Sequence, residues 1–348
     1  MVNLNNLRWL FHFRIDSSES VTKSQRNLYG IGHAIRCISL AKIAKQKLGI
    51  EPIFITSVHE NSENFLRKFK IVAYNEDNLE NILKNNPIGV IISDINYLEK
   101  KYFKIYNKYS KCVCLAPRGQ SKFYADLSFI DFSIFDEPPI SKPRGKILSS
   151  LKYIVMSSKL LDVRNKLKKK DIIKNKKNII ISMGGVDSSN LINTIINGLI
   201  GLEEDWNVKI IMGPLYEKGE ELNSLIKRLK CNVKIINNPK NFFELVAQST
   251  IGIFAAGIVS YEAAALGTFS LNLSLTKFHL KRSVEIQKLG LGISLGMYNN
   301  IVDKEISKKI LELEHNINFN KISYKSMKLI DGKGGYRVLN EIQNYLYD

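Results

Sequence analysis

Apolar segments that resemble β-strands alternate with helix-like segments along almost the whole of this 348-residue chain. The clearest strand-like segments are 9–15, 51–56, 88–94 and 111–116 in the first half, and 178–187, 207–213, 232–238, 249–257 and 269–273 in the second. Between them lie segments with apolar residues at helical spacing, such as 34–48. Strands that alternate with helices predict parallel sheets covered by helices on both faces. The pattern therefore predicts an α/β fold.

The length of the chain and the restart of the strand pattern near residue 178 predict two domains. A single hydrophobic core stops growing beyond roughly 250–300 residues. We predict two Rossmann-like lobes, residues 1–150 and 151–348, joined near 140–177, with the option that the last helix packs back on the first lobe. The basic run 164–177 (RNKLKKKDIIKNKK) is predicted to be a solvated face.

The charge of the chain restricts its partners. Lysine and arginine exceed aspartate and glutamate, which gives a net charge of +18. No zinc-finger spacing or ribonucleoprotein motif accompanies this charge, so we expect no nucleic-acid partner. Weak association with an anionic membrane surface is the alternative that the charge favours.

The cysteines and the apolar segments indicate the compartment. The four cysteines, Cys37, Cys112, Cys114 and Cys231, show neither disulfide nor zinc spacing and are predicted to be reduced core thiols. No apolar run approaches the roughly 20 residues of a membrane-spanning helix, and residues 1–16 do not resemble a signal peptide. We expect a cytoplasmic protein, and a monomer.

The loop after the first strand contains the first candidate site. Ligands gather at the carboxyl ends of parallel strands. Candidate substrate contacts in this loop are Arg14, Asp16, Ser17, Gly30 and Gly32. The third glycine of a dinucleotide-binding loop is absent, so the NAD fingerprint fails. The next residue, His33, is either a base near a bound anion or a histidine that caps or packs the helix.

Asp94 ends a buried strand of the same half and is either a helix cap or a substrate contact. We place it with His33 as a candidate catalytic residue. No cluster of carboxylates or histidines has the spacing of metal ligands, so we expect no metal.

Two loops of the second half carry candidate nucleotide contacts. Gly184 and Gly185 follow a strand and either allow a ligand to approach the backbone or form a tight turn with Asp187 as helix cap. Small residues then open a helix that contains Glu262, whose carboxylate either accepts both ribose hydroxyls or only complements the helix dipole. The other candidates are Gly213, Gly257, Ile258, Val259 and Ser260.

Five motifs in order resemble a known family. The pattern R-x-D-S-S … G-x-G-H-x-x-R-C-x-x-L-A, from Arg14 to Ala41, resembles the nucleotide-sugar hydrolases of pseudaminic acid biosynthesis. These enzymes are related to spore-coat polysaccharide proteins and, more distantly, to the glycosyltransferase that makes lipid II. The resemblance continues through SMGGVDSSNL (182–191), MGP (212–214), YEAAALGTFSL (261–271) and DGKGGYRV (331–338), and so spans nearly the whole chain.

The resemblance implies a glycosyltransferase-B (GT-B) fold without a metal or a tightly bound cofactor. It implies that UDP binds mainly to the C-terminal lobe, with its ribose near Glu262. The sugar would face the N-terminal lobe, where His33 matches the family's catalytic histidine. Water would attack the anomeric carbon, and UDP would leave.

The sugar-binding half departs from the family pattern, whereas the nucleotide half matches it. Asn96 stands where some members have a tyrosine at the sugar. The loop after Leu115 reads Ala-Pro-Arg-Gly-Gln where members commonly have paired aspartates, and residues 21–28 form an insertion. Lys277-Phe278-His279 replaces the usual substrate-contacting stretch, and we take Lys277, His279 and Asn96 as candidate substrate contacts.

The leading functional prediction is a hydrolase that releases UDP from a UDP-linked diacetamido-trideoxy sugar on the way to a nonulosonic acid. The alternative is a GT-B glycosyltransferase that transfers a sugar in polysaccharide or glycan synthesis, which the positive charge and the altered loops favour. A third hypothesis is a non-catalytic nucleotide-sugar-binding subunit. His33 argues against the third, and Phe278 argues for it.

Overall fold

The computed structural model describes residues 8–15, 31–57, 63, 66–67, 70–131, 139, 142–167, 177–184, 190–213, 221–301 and 304–347. The chain divides into two compact units. Unit 1 comprises Met1–Ser158 and Gly332–Asp348, and unit 2 comprises Lys159–Asp331. Each unit has its own parallel sheet, which confirms the predicted α/β class with two Rossmann-like sheets.

The sheet of unit 1 has seven parallel strands in the described residues, in the order β3-β2-β1-β4-β5-β6-β7. The strands are β1 (Arg8–Phe13), β2 (Glu51–Thr56), β3 (Ala73–Asn75), β4 (Ile88–Asp94), β5 (Lys111–Leu115), β6 (Leu127–Ile130) and β7 (Lys146–Ser149). The helices are α1 (Gly32–Leu48), α2 (Leu79–Asn85), α3 (Lys100–Tyr109), α4 (Ser121–Tyr124) and, from the end of the chain, α13 (Gly334–Tyr347). Phe11 and Val90 pack with α1 on one face of the sheet, and Leu10 and Ile91 pack with α3 on the other.

The sheet of unit 2 has six parallel strands in the described residues, in the order β10-β9-β8-β11-β12-β13. The strands are β8 (Asn178–Ser182), β9 (Asn207–Met212), β10 (Asn232–Asn237), β11 (Ile251–Phe254), β12 (Phe269–Ser274) and β13 (Gly292–Met297). The helices are α5 (Ser158–Lys166), α6 (Leu191–Gly198), α7 (Glu221–Ile226), α8 (Phe242–Ala247), α9 (Ile258–Ala265), α10 (Lys277–Lys288), α11 (Glu305–Asn316) and α12 (Phe319–Leu329). Both sheets thus share the Rossmann strand order 3-2-1-4-5-6.

Arg164 is an exception to the predicted solvated basic face, whereas Asn165 and Lys166 of the same run are exposed. Arg164 lies in α5, is half-buried and donates to the carbonyl of Ala265, the last residue of α9. Its other terminal nitrogen donates to the carbonyl of Met327 in α12 at 2.7 Å. The last carbonyls of a helix have no intrahelical partner, so a cation that binds them stabilises both helix ends. Residues 168–176 of the same run lie outside the described part of the chain.

No helix in the described part of the chain combines the length and the apolar character that a membrane crossing requires.

The last helix, α13, completes the core of unit 1. Val338, Leu339 and Ile342 of α13 are buried in the same cluster as Phe11 and Val90. The Tyr153 hydroxyl donates to Glu341 at 2.6 Å. At the first residue, Gly334, an added Cβ would lie 2.0 Å from the main-chain oxygen of Ile154. Backbone therefore packs directly on backbone where α13 begins.

We expect Gly334→Ala to destabilise unit 1 by about 1–3 kcal/mol, the typical cost of forcing an extra methyl group into a packed interior. The matched control is Gly335→Ala, where the nearest atom to the added Cβ is the terminal Cδ1 of the Ile43 side chain, which can move. Thermal unfolding followed by calorimetry measures both variants. If the two variants are equally stable, the contact of Gly334 with the main chain of Ile154 does not exclude a side chain at position 334.

Candidate active site

The carboxyl edge of the unit 1 sheet, where β1 lies beside β4, is a point at which the strand order reverses. β2 and β3 lie on one side of β1, and β4 to β7 lie on the other. Phe13 at the end of β1 is paired with Asp94 at the end of β4. In open parallel sheets, the loops at such a switch point diverge and form a ligand crevice. This edge is therefore the expected ligand site of unit 1.

His33, Arg36 and Asp94 form a hydrogen-bonded cluster at this edge. The Nδ1 of His33 lies 2.7 Å from Oδ1 of Asp94. Arg36 donates from Nη2 to Oδ1 and from Nε to Oδ2, each over 2.7 Å. His33 and Arg36 are three residues apart on α1 and so project from the same side of the helix. The carboxylate of Asp94, with 0 % of its surface exposed, is thus held by two side chains of one helix.

Neither His33 nor Asp94 is a helix cap. Ile31 occupies the N-cap position of α1 and makes no side-chain capping bond. Glu99 occupies the N-cap position of α3, the helix that follows β4. Both predicted candidate catalytic residues instead direct their side chains at each other.

The contacts of His33 determine which ring nitrogen carries the proton. Nδ1 must be protonated, because two lone pairs would repel each other at 2.7 Å from a carboxylate oxygen. Nη2 of Arg36 lies 2.9 Å from Nδ1, and both groups donate to the shared Oδ1 of Asp94. Nε2 is therefore the unprotonated nitrogen, and its lone pair accepts from the Asn96 amide at 3.3 Å. This bond is longer than the usual 2.9–3.0 Å, so the hydroxyl of a reactant could replace it.

The surroundings keep His33 neutral and Asp94 charged. Burial lowers the pKa of His33 below its ordinary value of 6.5, Asp94 opposes this effect, and Arg36 and Arg118 add to it. Burial alone would raise the pKa of Asp94, but the charge of Arg36 and the contact with His33 outweigh it and lower that pKa. A neutral imidazole oriented by a carboxylate has the properties of a general base.

Asn96 connects this cluster to the loop after β5. The main-chain carbonyl of Asn96 accepts from the N–H of Arg118 at 2.6 Å and from the hydroxyl of Ser121 at 3.3 Å. The side-chain amide of Asn96 is buried and faces His33. The predicted substrate residue Asn96 therefore lies beside the candidate base.

Arg14, another predicted substrate contact, lies in an ion pair. It donates from Nε to Oε2 of Glu76 at 2.9 Å and from Nη2 to the other carboxylate oxygen. Nη2 also donates to the Tyr102 hydroxyl at 3.1 Å. Burial, followed by the nearby Glu76 carboxylate, raises the pKa of Tyr102 to about 12. The guanidinium of Arg14, predicted to contact a substrate, is thus bonded to the side chains of Glu76 and Tyr102.

Of the other predicted contacts in the first loop, the structure describes Gly32 alone. Gly32 is the first residue of α1. Asp16, Ser17 and Gly30 lie outside the described residues, as do Gly185 and Asp187 of unit 2.

The sheet of unit 2 has an equivalent switch point between β8 and β11, where Ser182 is paired with Phe254. Gly184 follows β8 with a φ of +92°, and Ala256 follows β11 with a φ of +51°. A non-glycine residue in the left-handed region is strained, and such strain concentrates at ligand sites. Gly213 directly follows β9 at the same edge.

The loop after β11 ends at the N-terminus of α9. Gly257 is the N-cap residue and supplies no side-chain capping bond, and an added Cβ there would meet no atom within 4 Å. Ile258 and Val259 form the start of the first turn. The first N–H groups of a helix have no intrahelical partner and favour an anion. The predicted residues Gly184, Gly257, Ile258 and Val259 are thus brought to one edge of unit 2.

Glu262 is the fifth residue of α9, beyond its first turn, because the helix begins at Ile258. The helix dipole acts mainly within the first turn, so dipole complementarity does not account for this carboxylate. Glu262 is only 4 % exposed. Ser260 is also buried, and its hydroxyl donates to Oδ1 of Asn272 at 2.6 Å. The hydroxyl predicted to contact a nucleotide is thus bonded within unit 2.

The two predicted substrate residues of unit 2 lie in the first turn of α10. Lys277 is exposed, and the main-chain N–H of His279 donates to the hydroxyl of Thr276, the N-cap residue, at 3.2 Å. In the same helix the guanidinium of Arg282 lies 4.7 Å from the ring centroid of Phe278 and 5.8 Å from that of Tyr261 in α9. Phe278 thus has a packing role beside α9.

Sequence reasoning assigned no role to Arg36, although its spacing from His33 is a detectable signal. Residues at i and i+3 of a helix are neighbours, so a histidine at a helix start predicts that Arg36 lies beside it. Within the residues that the structure describes, no group of three or more His, Cys, Asp or Glu side chains could hold a metal ion.

Comparisons with known proteins identify the fold. No family model matches the sequence. An uncharacterized protein of Methanocaldococcus jannaschii is 28% identical over 257 residues. The match covers 68% of this chain and 51% of that protein. This chain therefore spans about half the length of the curated relative it matches. The crystal structure of MurG from Acinetobacter baumannii matches 97% of this chain and 99% of its own with a TM-score of 0.67 at 12% identity.

A third match is UDP-GlcNAc 2-epimerase from Neisseria meningitidis bound to UDP-GlcNAc, which covers 97% of this chain and 100% of its own with a TM-score of 0.63 at 13% identity. The chain has the GT-B fold. This confirms the predicted fold, which two Rossmann-like units define.

We expect Asp94→Asn to lower the pKa of His33 further below 6.5. Asp94 is the anion that favours the imidazolium form, and the variant leaves the cations Arg36 and Arg118 unopposed. NMR titration of ¹⁵N-histidine-labelled protein measures the change, with Asp77→Asn, an exposed residue of unit 1, as the control. A His33 pKa that stays constant or rises in Asp94→Asn would contradict the assigned contact.

Proposed function

We propose that this protein is a metal-independent enzyme that hydrolyses a UDP-linked sugar, with His33 as general base. The observation that carries the proposal is the contact of His33 Nδ1 with the buried carboxylate of Asp94 at 2.7 Å, which leaves Nε2 as the basic nitrogen. This pair lies at the switch point of the unit 1 sheet, where ligands of such sheets bind.

In the proposed reaction, Nε2 of His33 accepts a proton from a water molecule that replaces the weak bond from Asn96. The water oxygen forms a bond to the anomeric carbon, and the bond from that carbon to the diphosphate oxygen breaks. The bonding electron pair leaves with UDP. Asp94 stabilises the imidazolium until the proton passes to solvent, because their charges are opposite.

Unit 2 supports the nucleotide part of the proposal. The N-terminus of α9, the open space at Gly257 and the strained Ala256 are features that suit a diphosphate. The buried Glu262 is proposed to accept the ribose hydroxyls. The Neisseria epimerase, which shares the fold, was determined with UDP-GlcNAc bound.

The family resemblance supports water as the acceptor and a diacetamido-trideoxy sugar as the group that is cleaved. A glycosyltransferase is the second candidate, and Arg118 favours it. This cation follows β5 and bonds through its main chain to Asn96, the neighbour of the candidate base. It belongs to the loop that departs from the family pattern on the sugar side, which fits a different acceptor.

We expect His33→Asn to lower kcat at least about a hundredfold without a change in UDP affinity. General bases contribute about 10²–10⁴-fold, and the proposed nucleotide contacts belong to unit 2. The wild-type rate should fall at acidic pH with a midpoint below 6.5, because the pKa of His33 is lowered, and the variant should lack this limb. UDP release and UDP calorimetry across pH provide the measurements.

The matched control for this experiment is His315→Asn, since His315 is an exposed residue of α11 and should have no effect. A His33→Asn enzyme within a few-fold of the wild-type rate would refute the assignment of the base. Transfer of sugar to an acceptor without UDP release in water alone would favour the glycosyltransferase.

We expect Glu262→Ala to weaken UDP binding about tenfold to a hundredfold. Hydrogen bonds to a charged group are worth about 1.5–3 kcal/mol, and an alanine cannot accept the ribose hydroxyls. Calorimetry with UDP measures the loss, and circular dichroism verifies the fold. The control is Glu312→Ala, which removes an equal charge from an exposed ion pair with Lys309. Unchanged affinity in a folded Glu262→Ala protein would exclude Glu262 from the nucleotide site.

A further inference from the structure

Helix α12 of unit 2 exposes one side that combines positive charge with apolar groups. Its exposed residues at helical spacing are Lys321, Tyr324, Lys325, Lys328 and Leu329. They follow the spacing i, i+3, i+4, i+7 and i+8, which places them on one side of a helix. Ser323 and Ser326 are buried on the other side, where α12 packs against α9. The exposed side is therefore a surface of three lysines, a tyrosine and a leucine.

Acidic residues do not compensate this charge within the described part of the chain. The sequence of α12 contains no aspartate or glutamate, and its three lysines form no ion pair with a described residue. The acidic residue that precedes the helix, Glu314, is bonded to Lys177 at 2.8 Å. The one that follows the helix, Asp331, is half-buried, and its charge acts on Arg164. The three lysine charges of α12 thus remain in excess.

The end of α10 extends this surface. A Cβ added to Gly290, in the turn after α10, would lie 3.2 Å from Nζ of Lys325. The one acidic residue of α10, Glu285, is bonded to Lys288 at 2.6 Å. The described residues of unit 2 include three exposed large hydrophobic side chains, which are Tyr324, Leu329 and, in α10, Val284, with 46%, 42% and 38% of their surface exposed. All three therefore lie on these two neighbouring helices.

An anionic lipid bilayer matches both properties of this surface. Its negative surface potential attracts lysines, and the boundary between headgroups and acyl chains accepts tyrosine and aliphatic side chains. A nucleic acid offers phosphates but no apolar layer in which Leu329 and Val284 would be buried. The basic run that starts at Arg164 also begins beside this helix, because Arg164 donates to the carbonyl of Met327 at 2.7 Å. Charge and exposed apolar atoms together favour a lipid surface.

We propose that α12, together with the end of α10, docks on the surface of a bilayer that contains anionic lipids. The association would be peripheral and reversible, because a few side chains on one face reach the headgroup region. The six residues that form this surface are Val284, Lys321, Tyr324, Lys325, Lys328 and Leu329. None of them belongs to the candidate active site, so the proposal does not depend on the proposed function.

Two triple variants with equal charge test where the protein binds. The first combines Lys321→Gln, Lys325→Gln and Lys328→Gln. The second combines Lys227→Gln, Lys234→Gln and Lys240→Gln, which change exposed lysines around β10, at the opposite edge of the unit 2 sheet from β13. Sedimentation measures binding of the full chain to vesicles of phosphatidylcholine alone or mixed with phosphatidylglycerol. Circular dichroism verifies the fold of each variant.

We expect the wild type to bind the mixed vesicles in preference to phosphatidylcholine alone. A lysine near an anionic membrane contributes about fivefold in affinity, so the α12 variant should bind about a hundredfold more weakly. The variant around β10 has lost the same charge but should bind nearly as well as the wild type. A difference between the two variants measures the location of the lysines rather than the net charge.

A tryptophan at position 324 tests whether the apolar side chains enter the lipid. The two native tryptophans, Trp9 and Trp206, are each 2% exposed, so an exposed third tryptophan reports on its own surroundings. The fluorescence of Tyr324→Trp should shift to shorter wavelength when mixed vesicles are added. The control is Tyr74→Trp, at a tyrosine of unit 1 that is 51% exposed, and its emission should stay constant.

The proposal is overturned if the wild type does not prefer the mixed vesicles, or if both triple variants lose binding equally. Unchanged emission of Tyr324→Trp on vesicles that bind the protein would also overturn it. Binding of a DNA duplex that only the α12 variant loses, without binding to vesicles, would assign the surface to nucleic acid instead. These measurements need neither UDP nor turnover, so their outcome is separate from that of the proposed function.

Discussion

The buried carboxylate of Asp94 imposes the main constraint on the candidate site. A carboxylate removed from water is destabilised unless opposite charge and hydrogen bonds compensate it. Arg36 supplies the charge and two hydrogen bonds, and His33 supplies a third. Because both partners belong to the first turns of α1, the carboxylate also determines how that helix starts against β4. The orientation of the imidazole is therefore a consequence of charge compensation inside unit 1.

The same construction explains why the imidazole is basic yet uncharged. Burial and two nearby arginines disfavour the imidazolium, while Asp94 favours it. Because the pKa of His33 lies below its ordinary value of 6.5, the imidazole is neutral at neutral pH and can accept a proton from a reactant. The turn after β4 is joined to the loop after β5 beside this pair, because the carbonyl of Asn96 accepts from the N–H of Arg118 and the hydroxyl of Ser121. The position of the Asn96 amide beside His33 therefore depends on the loop after β5.

The central strands of both sheets could be predicted from the sequence, because they are apolar runs that end in glycine or polar residues. Of the four edge strands, β10 was predicted, whereas β3, β7 and β13 could not be. β3 has three residues, β7 has four residues with exposed ends, and β13 contains Gly292 and Gly296. Their pairing depends on neighbouring strands more than on their own residues.

The candidate site was predictable in part. The helical start at His33 and the strand end at Asp94 are visible in the sequence, and the i,i+3 spacing indicates Arg36. Their contact depends on the crossover that places β4 next to β1, with β2 and β3 on the far side, and chain order alone does not reveal it. Arg14 shows the reverse case. Its position after β1 suggested a ligand contact, whereas Glu76, far along the chain, compensates its charge.

The inclusion of α13 in unit 1 has a consequence for biosynthesis. A ribosome adds about 5–20 residues per second, and domains usually fold in the order in which they emerge. Here Val338, Leu339 and Ile342 belong to the core of unit 1 but are translated after the whole of unit 2. All of unit 2 emerges earlier, so the unit that starts first is completed last. The nascent first unit must remain without its closing helix for a time on the order of ten seconds or more, a period in which it would be a natural client for a chaperone.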